Sequence, residues 1–410
     1  MFSNKRILIT GVSGFVGSHL AKYLLDNGNE VYGLVRRRAD GSKPKNLNNL
    51  KIYDEVHIVE GDILDITNIG SALETAKPDI VFHLAAQSFI PASFENPLAT
   101  LMTNSLGTAN LLESIRLKNL DPTVVFAGSS EEYGLVFSSQ IQYSRALKKY
   151  GPMVRSPTRI PELPINEENP LRPQSPYGIS KVQADYLIRG YHNIYGLKAI
   201  VSRGFNTEGA GRGNMFVTST IATQVMKLKL KEGNKIAIGN VNAFRDWSHV
   251  EDIVKGYCLL AEKGNPGEVY NQGSMRTNSI LTYILLALEN AGWRVEKIEC
   301  TNETDGKVVI DPLRRSDDEI FGLRFDKTKV DQLLLTHELE FILEDEGILV
   351  HTDKGQIPIQ FDSRRFRPAE VPILLSDTRK IQQLGFKITY NLVDIIKDQL
   401  NFYLKASERI

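Results

Sequence analysis

Arg6-Ile7-Leu8-Ile9-Thr10 runs directly into Gly11-Val12-Ser13-Gly14-Phe15-Val16-Gly17, an apolar strand followed by a glycine-spaced turn and the start of a helical pattern. Glycines between a strand and a helix let backbone approach a pyrophosphate while the first N–H groups of the helix point at it. Gly11, Gly14, Phe15, Val16 and Gly17 are therefore candidate dinucleotide-binding residues. A bare glycine pattern carries little weight; the strand before it and the helix after it supply the context. Outward from this turn, apolar runs at 30–35, 56–60, 80–84, 123–127 and 198–202 alternate with helical periodicity at 15–27, 66–76, 104–118 and 178–195. That alternation predicts an α/β fold, a Rossmann doubly wound parallel sheet.

Past Arg203 the rhythm changes. A helix is expected over 218–231 and a short strand over 235–239. The chain then returns to the sheet through 245–261 and a last strand beginning at Glu268. The expected division is a dinucleotide-binding domain over 1–205 and 244–275, with a smaller, discontinuous C-terminal α/β substrate domain over 206–243 and 276–410. Residues about 135–166 and about 299–352 read as insertions, the first a surface lid rich in proline. The charged stretch 302–352 reads as irregular, between helices over 279–291 and 392–404.

Composition narrows the function classes. The 410 residues carry 49 Lys+Arg against 49 Asp+Glu, so no overall field draws the chain to nucleic acid or a membrane. Two cysteines, Cys258 and Cys300, have no metal-ligand spacing and fit a reducing compartment. No apolar run is long enough to span a bilayer, and the expectation is a soluble cytoplasmic enzyme without a metal.

The second strand ends in Gly33-Leu-Val-Arg36-Arg37-Arg38. An acid near this point holds the ribose of NAD, whereas arginine accommodates the extra phosphate of NADP. Arg36 and Arg37 therefore favour NADP over NAD. Asp62 and Ile63 follow the third strand, beside the expected adenine position. Leu84, Ala85 and Ala86 follow the fourth, where small residues let backbone pass close to the cofactor.

Two further strings carry chemistry: Ser129-Ser130-Glu131, and Ser175-Pro-Tyr177-Gly-Ile-Ser-Lys181. Tyr177 and Lys181 lie on one face of a helix, and an ammonium beside a phenol favours the phenolate. That pair with the Ser129 hydroxyl suffices for removing a proton from a sugar hydroxyl during oxidation. Glu131 adds a carboxylate, hence a second proton transfer. Ser129, Glu131, Tyr177 and Lys181 form the candidate catalytic group. His83 and His249 read as packing or capping residues, Trp247 and Trp293 as core, Cys258 as a buried small hydrophobe.

These residues, with Gly61-Asp62 and His83-Leu-Ala-Ala86, resemble extended short-chain dehydrogenases acting on nucleotide sugars. Further strings resemble the GDP-mannose 4,6-dehydratase branch: Ala86-Gln-Ser88, Arg172-Pro-Gln-Ser-Pro-Tyr177, Asn214-Met-Phe-Val-Thr218, Arg245-Asp-Trp-Ser-His249 and Phe366-Arg-Pro-Ala-Glu370. The resemblance implies a nucleotide-sugar 4,6-dehydratase, and also that Tyr177 and Lys181 touch the cofactor. It places Ser88, Ser130, Asn206, Asn240, Arg245, Arg367 and Glu370 around the nucleotide sugar, and it implies a homodimer or homotetramer.

Departures from the branch are also visible. Ser219-Thr220 replace basic residues, Phe89 replaces a histidine, Glu132 replaces an apolar residue, and both insertions exceed the family's length. A nucleotide-sugar 4-epimerase or a UDP-glucuronate decarboxylase on the same scaffold is the rival reading. Epimerases generally lack the Glu131 carboxylate, but decarboxylases can share the Ser-Glu pair. A non-enzymatic NADP sensor is a third class, and the intact catalytic group speaks against it.

Overall fold

The alternation of apolar runs and helical stretches becomes a layered α/β architecture in a computed structural model of the chain. The structure describes residues 2–37, 39–151, 154, 156–302, 306–367 and 370–407. Its principal strands are β1 (Arg6–Thr10), β2 (Glu30–Val35), β3 (His57–Glu60), β4 (Ile80–His83), β5 (Thr123–Ser129), β6 (Ala199–Gly204), β7 (Ile236–Ile238) and β8 (Val269–Gln272). They are followed by β9 (Val295–Cys300), β10 (Val308–Ile310), β11 (Gly347–Thr352) and β12 (Gly355–Phe361). The principal helices are α1 (Phe15–Asp26), α2 (Ile66–Ala76), α3 (Gly107–Leu117), α4 (Gln140–Tyr150), α5 (Pro176–Tyr195), α6 (Val217–Lys229), α7 (Val250–Lys263), α8 (Ile280–Ala291), α9 (Lys329–Leu335) and α10 (Leu392–Ser407).

Seven strands form one parallel sheet in the order β8-β6-β5-β4-β1-β2-β3. Buried on both faces, they are continuous apolar runs such as Ile7-Leu8-Ile9 and Val124-Val125-Phe126. One face packs Leu20, Val31, Ile253 and Leu260 into a core, the other Leu73, Leu112, Ile115 and Ile188. The order reverses at β1/β4, where the ends of both strands open a crevice for a ligand.

A second sheet has the order β10-β9-β11-β12-β7, antiparallel except where β12 meets β7. It covers α8, whose Ile284, Leu285 and Leu288 are wholly buried, while α6 and α10 pack on the same helix. The stretch 302–352 is therefore not irregular. Val308–Ile310 and Gly347–Thr352 are strands and Lys329–Leu335 is a helix, because short apolar strings within the charged sequence bury Val309, Ile348 and Val350. The proline-rich stretch about 135–166 likewise carries structure of its own: α4, the small core Phe137, Ala146 and Val154, and a bidentate Arg172–Glu162 pair at 2.6 and 2.8 Å.

The two tryptophans report on the second core. Trp247 is buried edge-on to Tyr283 of α8, and Trp293 is half-buried against the same core. Leu285→Ala removes a wholly buried side chain and should cost about 2–5 kcal/mol. Tryptophan fluorescence during urea unfolding should show this as a lowered midpoint; an unchanged midpoint would contradict the packing described.

Candidate active site

The sheet delivers Ser129 at the end of β5, and the chain turns at once into a short 3-10 turn, Ser130–Glu132. Ser129 Oγ accepts from Glu131 N at 3.2 Å, and Glu132 Oε1 accepts from Ser129 N at 2.7 Å, so the turn is locked by a reciprocal cap. Helix α5 begins beyond it, with Pro176 in its first turn and Ser175 Oγ accepting from Gly178 N at 3.0 Å. Gly178 sits so close to this turn that a Cβ there would lie 2.7 Å from Glu131 O. That approach brings Tyr177, on the neighbouring position of the helix, within electrostatic reach of Glu131.

Burial dominates the electrostatics. Glu131 is only 8% exposed, which pushes its carboxyl above the ordinary range, while Arg367 and Arg245 pull it back down. Tyr177 is pushed up to about 12 by burial, against lowering by its hydrogen bond with Ser129 and by Arg212. Burial thus opposes the phenolate that the Lys181 ammonium was expected to favour. The Lys181 ammonium donates to Ala127 O at 2.7 Å and lies 6.0 Å from the Tyr177 ring centroid, and burial lowers it to about 8.

The substrate candidates divide into several environments. Arg245 is buried and donates to Phe244 O and Val371 O at 2.8 Å and to Glu370 Oε1 at 2.5 Å. Arg367 Nη1 stands 3.7 Å from the same Glu370 oxygen. Arg245 thus pairs with Glu370 rather than with Asp246 or Asp252; Asp246 is saturated by Ser274 and Ser376, and Asp252 Oδ2 accepts from Thr389 N and Tyr390 N. Pro368 and Ala369 of that string lie outside the described residues. Asn206 keeps a buried Oδ1 with no hydrogen-bond partner among the described residues, an acceptor available to a ligand. Asn240 Oδ1 accepts from Asn242, Ser130 is buried, and Ser88 is exposed.

The glycine turn has the form a dinucleotide needs. A Cβ on Gly17 would lie 2.3 Å from Gly11 O, and one on Gly11 2.7 Å from Ala85 N, so strand, turn and helix close on one another only without side chains. A Cβ on Gly14 would meet only Gly11 O, at 3.2 Å. Gly14 therefore presents bare backbone at the start of α1, and the residues present fit a dinucleotide pyrophosphate.

Ala85 N donates to Thr10 Oγ1 and Leu84 N to Thr10 O, holding 84–86 beside the turn. Arg36 and Arg37 are exposed at the end of β2, Arg37 Nε 3.8 Å from Glu60, and Arg38 lies outside the described residues. Asp62 spends one carboxylate oxygen on Leu64 N, and the Ile63 side chain is buried, filling the space over Gly107. The Asp62 backbone is spent too, N on Asn68 Oδ1 and O on Asp65 N, which leaves the second Asp62 carboxylate oxygen for an adenine.

His83 is buried between Thr10 and Thr108 and lowered to about 3 by burial; His249 caps α7 and bonds Asp398. Both are packing or capping residues, as expected. Cys258 is buried and raised to about 12 by burial.

Arg212 was not foreseen. Its guanidinium covers the Phe216 ring at 3.7 Å, stands 5.5 Å from the Phe15 ring centroid, and favours the Tyr177 phenolate. Its loop, Gly209-Ala-Gly211-Arg212-Gly213, is the one sequence signal that marks it.

Comparison with known proteins agrees with this geometry. The family model described as NAD dependent epimerase/dehydratase family matches residues 7–273, and that described as GDP-mannose 4,6 dehydratase matches residues 159–399. A GDP-mannose 4,6-dehydratase of Vibrio cholerae is 29% identical over 99% of this chain and 95% of its own length. Two solved structures share the fold: RMD from Pseudomonas aeruginosa complexed with NADPH and a UDP-glucose 4-epimerase from Thermotoga maritima with UDP-glucose. Their TM-scores are 0.65 and 0.67, each at 22% identity, covering 98% of this chain and 99% of theirs.

The Glu131 carboxyl should titrate above the ordinary glutamate range, and Arg367→Ala should move it higher still, because a charge that lowers it is gone. Carboxyl infrared difference spectra against Glu131→Gln read this directly. Titration at the ordinary value, or no response to Arg367→Ala, would contradict the electrostatics described.

Proposed function

The chain belongs to the NAD dependent epimerase/dehydratase and GDP-mannose 4,6 dehydratase families, and from that premise we infer that it is a nucleotide-sugar 4,6-dehydratase. Its substrate is GDP-mannose or a related nucleotide hexose, its product the 4-keto-6-deoxy sugar. One observation carries the reading: a buried carboxylate, Glu131, close enough to Tyr177 to act on it electrostatically, on a turn packed against Gly178 of the same helix.

The cofactor is proposed to be NADP rather than NAD. Gly11 to Gly17 and the start of α1 would hold its pyrophosphate, and Arg36 with Arg37 its additional phosphate. Bound nicotinamide supplies the acceptor for hydride from C4, its return to C6, and, when oxidised, a positive charge that favours the Tyr177 phenolate. Tyr177 takes the proton of the sugar 4-hydroxyl while Ser129 hydrogen-bonds the forming ketone oxygen. Lys181, fixed by Ala127 O, adds positive charge behind the tyrosine.

The C4 ketone acidifies the C5 proton, which Glu131 removes. The same carboxyl, now protonated, gives that proton to the departing 6-hydroxyl and water leaves. The proton that Tyr177 took from O4 balances the one C5 regains, so the net change is loss of one water. Arg245 and Arg367 would carry the diphosphate.

A homodimer or homotetramer is part of this proposal. Leu98, Met102, Leu106, Ile179 and Tyr186 are large apolar side chains exposed on adjacent helical segments, a surface a second copy would cover. Two buried free thiols support a cytoplasmic site. Among the described residues no helix is long and apolar enough to cross a membrane.

With GDP-mannose, Glu131→Gln should lose water elimination by about 10²–10⁴-fold while still binding cofactor, and Tyr177→Phe should show no transient reduced cofactor. Mass spectrometry and nicotinamide absorbance read the two steps. Normal turnover by Glu131→Gln would sink the assignment. Release of carbon dioxide from a UDP-glucuronate would place the chain with decarboxylases, and epimers of unchanged mass with 4-epimerases.

A further inference from the structure

Glu132 is the acid that replaces an apolar residue in the active-site turn, and the reaction proposed above does not use it. It is wholly buried, and its neighbours Asp185 and Arg203 are buried with it. Glu132 Oε1 accepts from Ser129 N at 2.7 Å, and Oε2 stands 3.2 Å from Arg203 Nε. Arg203 Nε also donates to Asp185 Oδ2 at 3.0 Å, while Asp185 Oδ1 accepts from Arg189 Nε at 2.6 Å. Two carboxylates thus meet on one guanidinium, but Asp185 has a second arginine of its own. Glu132 Oε2 accepts no hydrogen bond from any described residue. An apolar side chain at this position would avoid the cost of burying a charge.

The end of β5 is shaped around this carboxylate. A Cβ on Gly128 would lie 2.7 Å from Glu132 Oε1, so only glycine leaves it room. Gly128 sits between Ala127, whose carbonyl accepts from the Lys181 ammonium, and Ser129, whose N–H donates to Glu132. The lysine and the glutamate therefore grip the same three residues of backbone, from which the Ser129 hydroxyl projects.

The titratable groups around Glu132 are Tyr177, Lys181 and Asp185 of α5, Arg203 of β6, and Glu131 and Tyr133 beside it in the chain. Burial, with Asp185 adjacent, pushes the Glu132 carboxyl up, and Arg203 with Ser129 N pulls it back. Burial lowers Lys181 to about 8, and the charge that opposes this fall is that of Glu132. His83, also near Lys181, is held neutral by its own burial. A carboxyl that ionises late supplies its charge as pH rises, where Lys181 would otherwise lose its proton.

We propose that Glu132 is a positioning residue for the reaction, a fixed acceptor for Ser129 N and the buried counter-charge that keeps Lys181 an ammonium. The inference rests on the reading of Tyr177 and Lys181 as the redox pair of a nucleotide-sugar enzyme.

Glu132→Gln keeps an acceptor for Ser129 N and removes the charge. Reduction of bound oxidised cofactor by GDP-mannose, followed by nicotinamide absorbance across pH, should reach its alkaline limit about one pH unit lower than in the unaltered protein. Glu132→Asp, which keeps the charge but is too short for Ser129 N, should hold that limit while lowering the plateau rate. A second readout needs no substrate: phenolate absorbance of the chain minus that of Tyr177→Phe, with oxidised cofactor bound. Glu132 raises Tyr177, so in the Glu132→Gln background this step should move to lower pH. NADPH affinity, read by fluorescence, should stay constant in both variants and serves as the fold control; if Glu132→Gln loses it, a displaced limit in Glu132→Asp contradicts the proposal and a retained one supports it. An alkaline limit or a phenolate step unmoved by Glu132→Gln would overturn it, since a packing role alone shifts no titration. A phenolate step that moves as expected, with no water loss from any nucleotide hexose, would leave Glu132 its role and defeat the dehydratase reading instead.

Discussion

The site depends on one close contact, helix α5 against the Ser130–Glu132 turn at Gly178. Nothing larger than hydrogen fits there, so the tyrosine of the helix and the carboxylate of the turn come to share one buried space. Burial then sets the chemistry. It raises both Tyr177 and Glu131, leaving each a stronger base once ionised, and it makes the surrounding cations count. Arg245 and Arg367 act on Glu131, Arg212 on Tyr177, so each acid–base group has its own cationic control.

Those cations come from different parts of the chain. Arg245 stands at the second sheet's side of the crevice, held by two carbonyls and by Glu370 across about a hundred and twenty residues of sequence. Tyr177 and Glu131 stand on the parallel sheet's side, in α5 and in the turn that follows β5. The crevice between the two cores is thus where, in the proposed reaction, the sugar would meet both proton-transfer groups and phosphate-binding charge, at the point where strand order reverses in a doubly wound sheet.

Much of this was legible in the residues. The strands at 6–10 and 30–35 and the helix at 66–76 match their predicted limits, because long, strongly patterned runs between glycine turns leave little choice of structure. Ser129, Glu131, Tyr177 and Lys181 stand out as a candidate group because their spacing has chemical meaning. The stretch 302–352 was misread, since three-residue apolar strings such as Val308–Ile310 become strands only through the neighbours they pair with. Arg212 was missed because a lone arginine in a glycine loop has no period. The burial that raises Tyr177 is a property of the fold: the adjacent lysine is visible in sequence, the enclosure of the phenol is not.

The most direct test of the account follows one hydrogen. GDP-mannose deuterated at C4, incubated with the purified protein and oxidised cofactor but no reductant, should lose one water and carry the deuterium at C6 of the same molecule. Deuterium retained at C4, or washed into solvent while water is still lost, would contradict the proposed sequence of oxidation, elimination and hydride return.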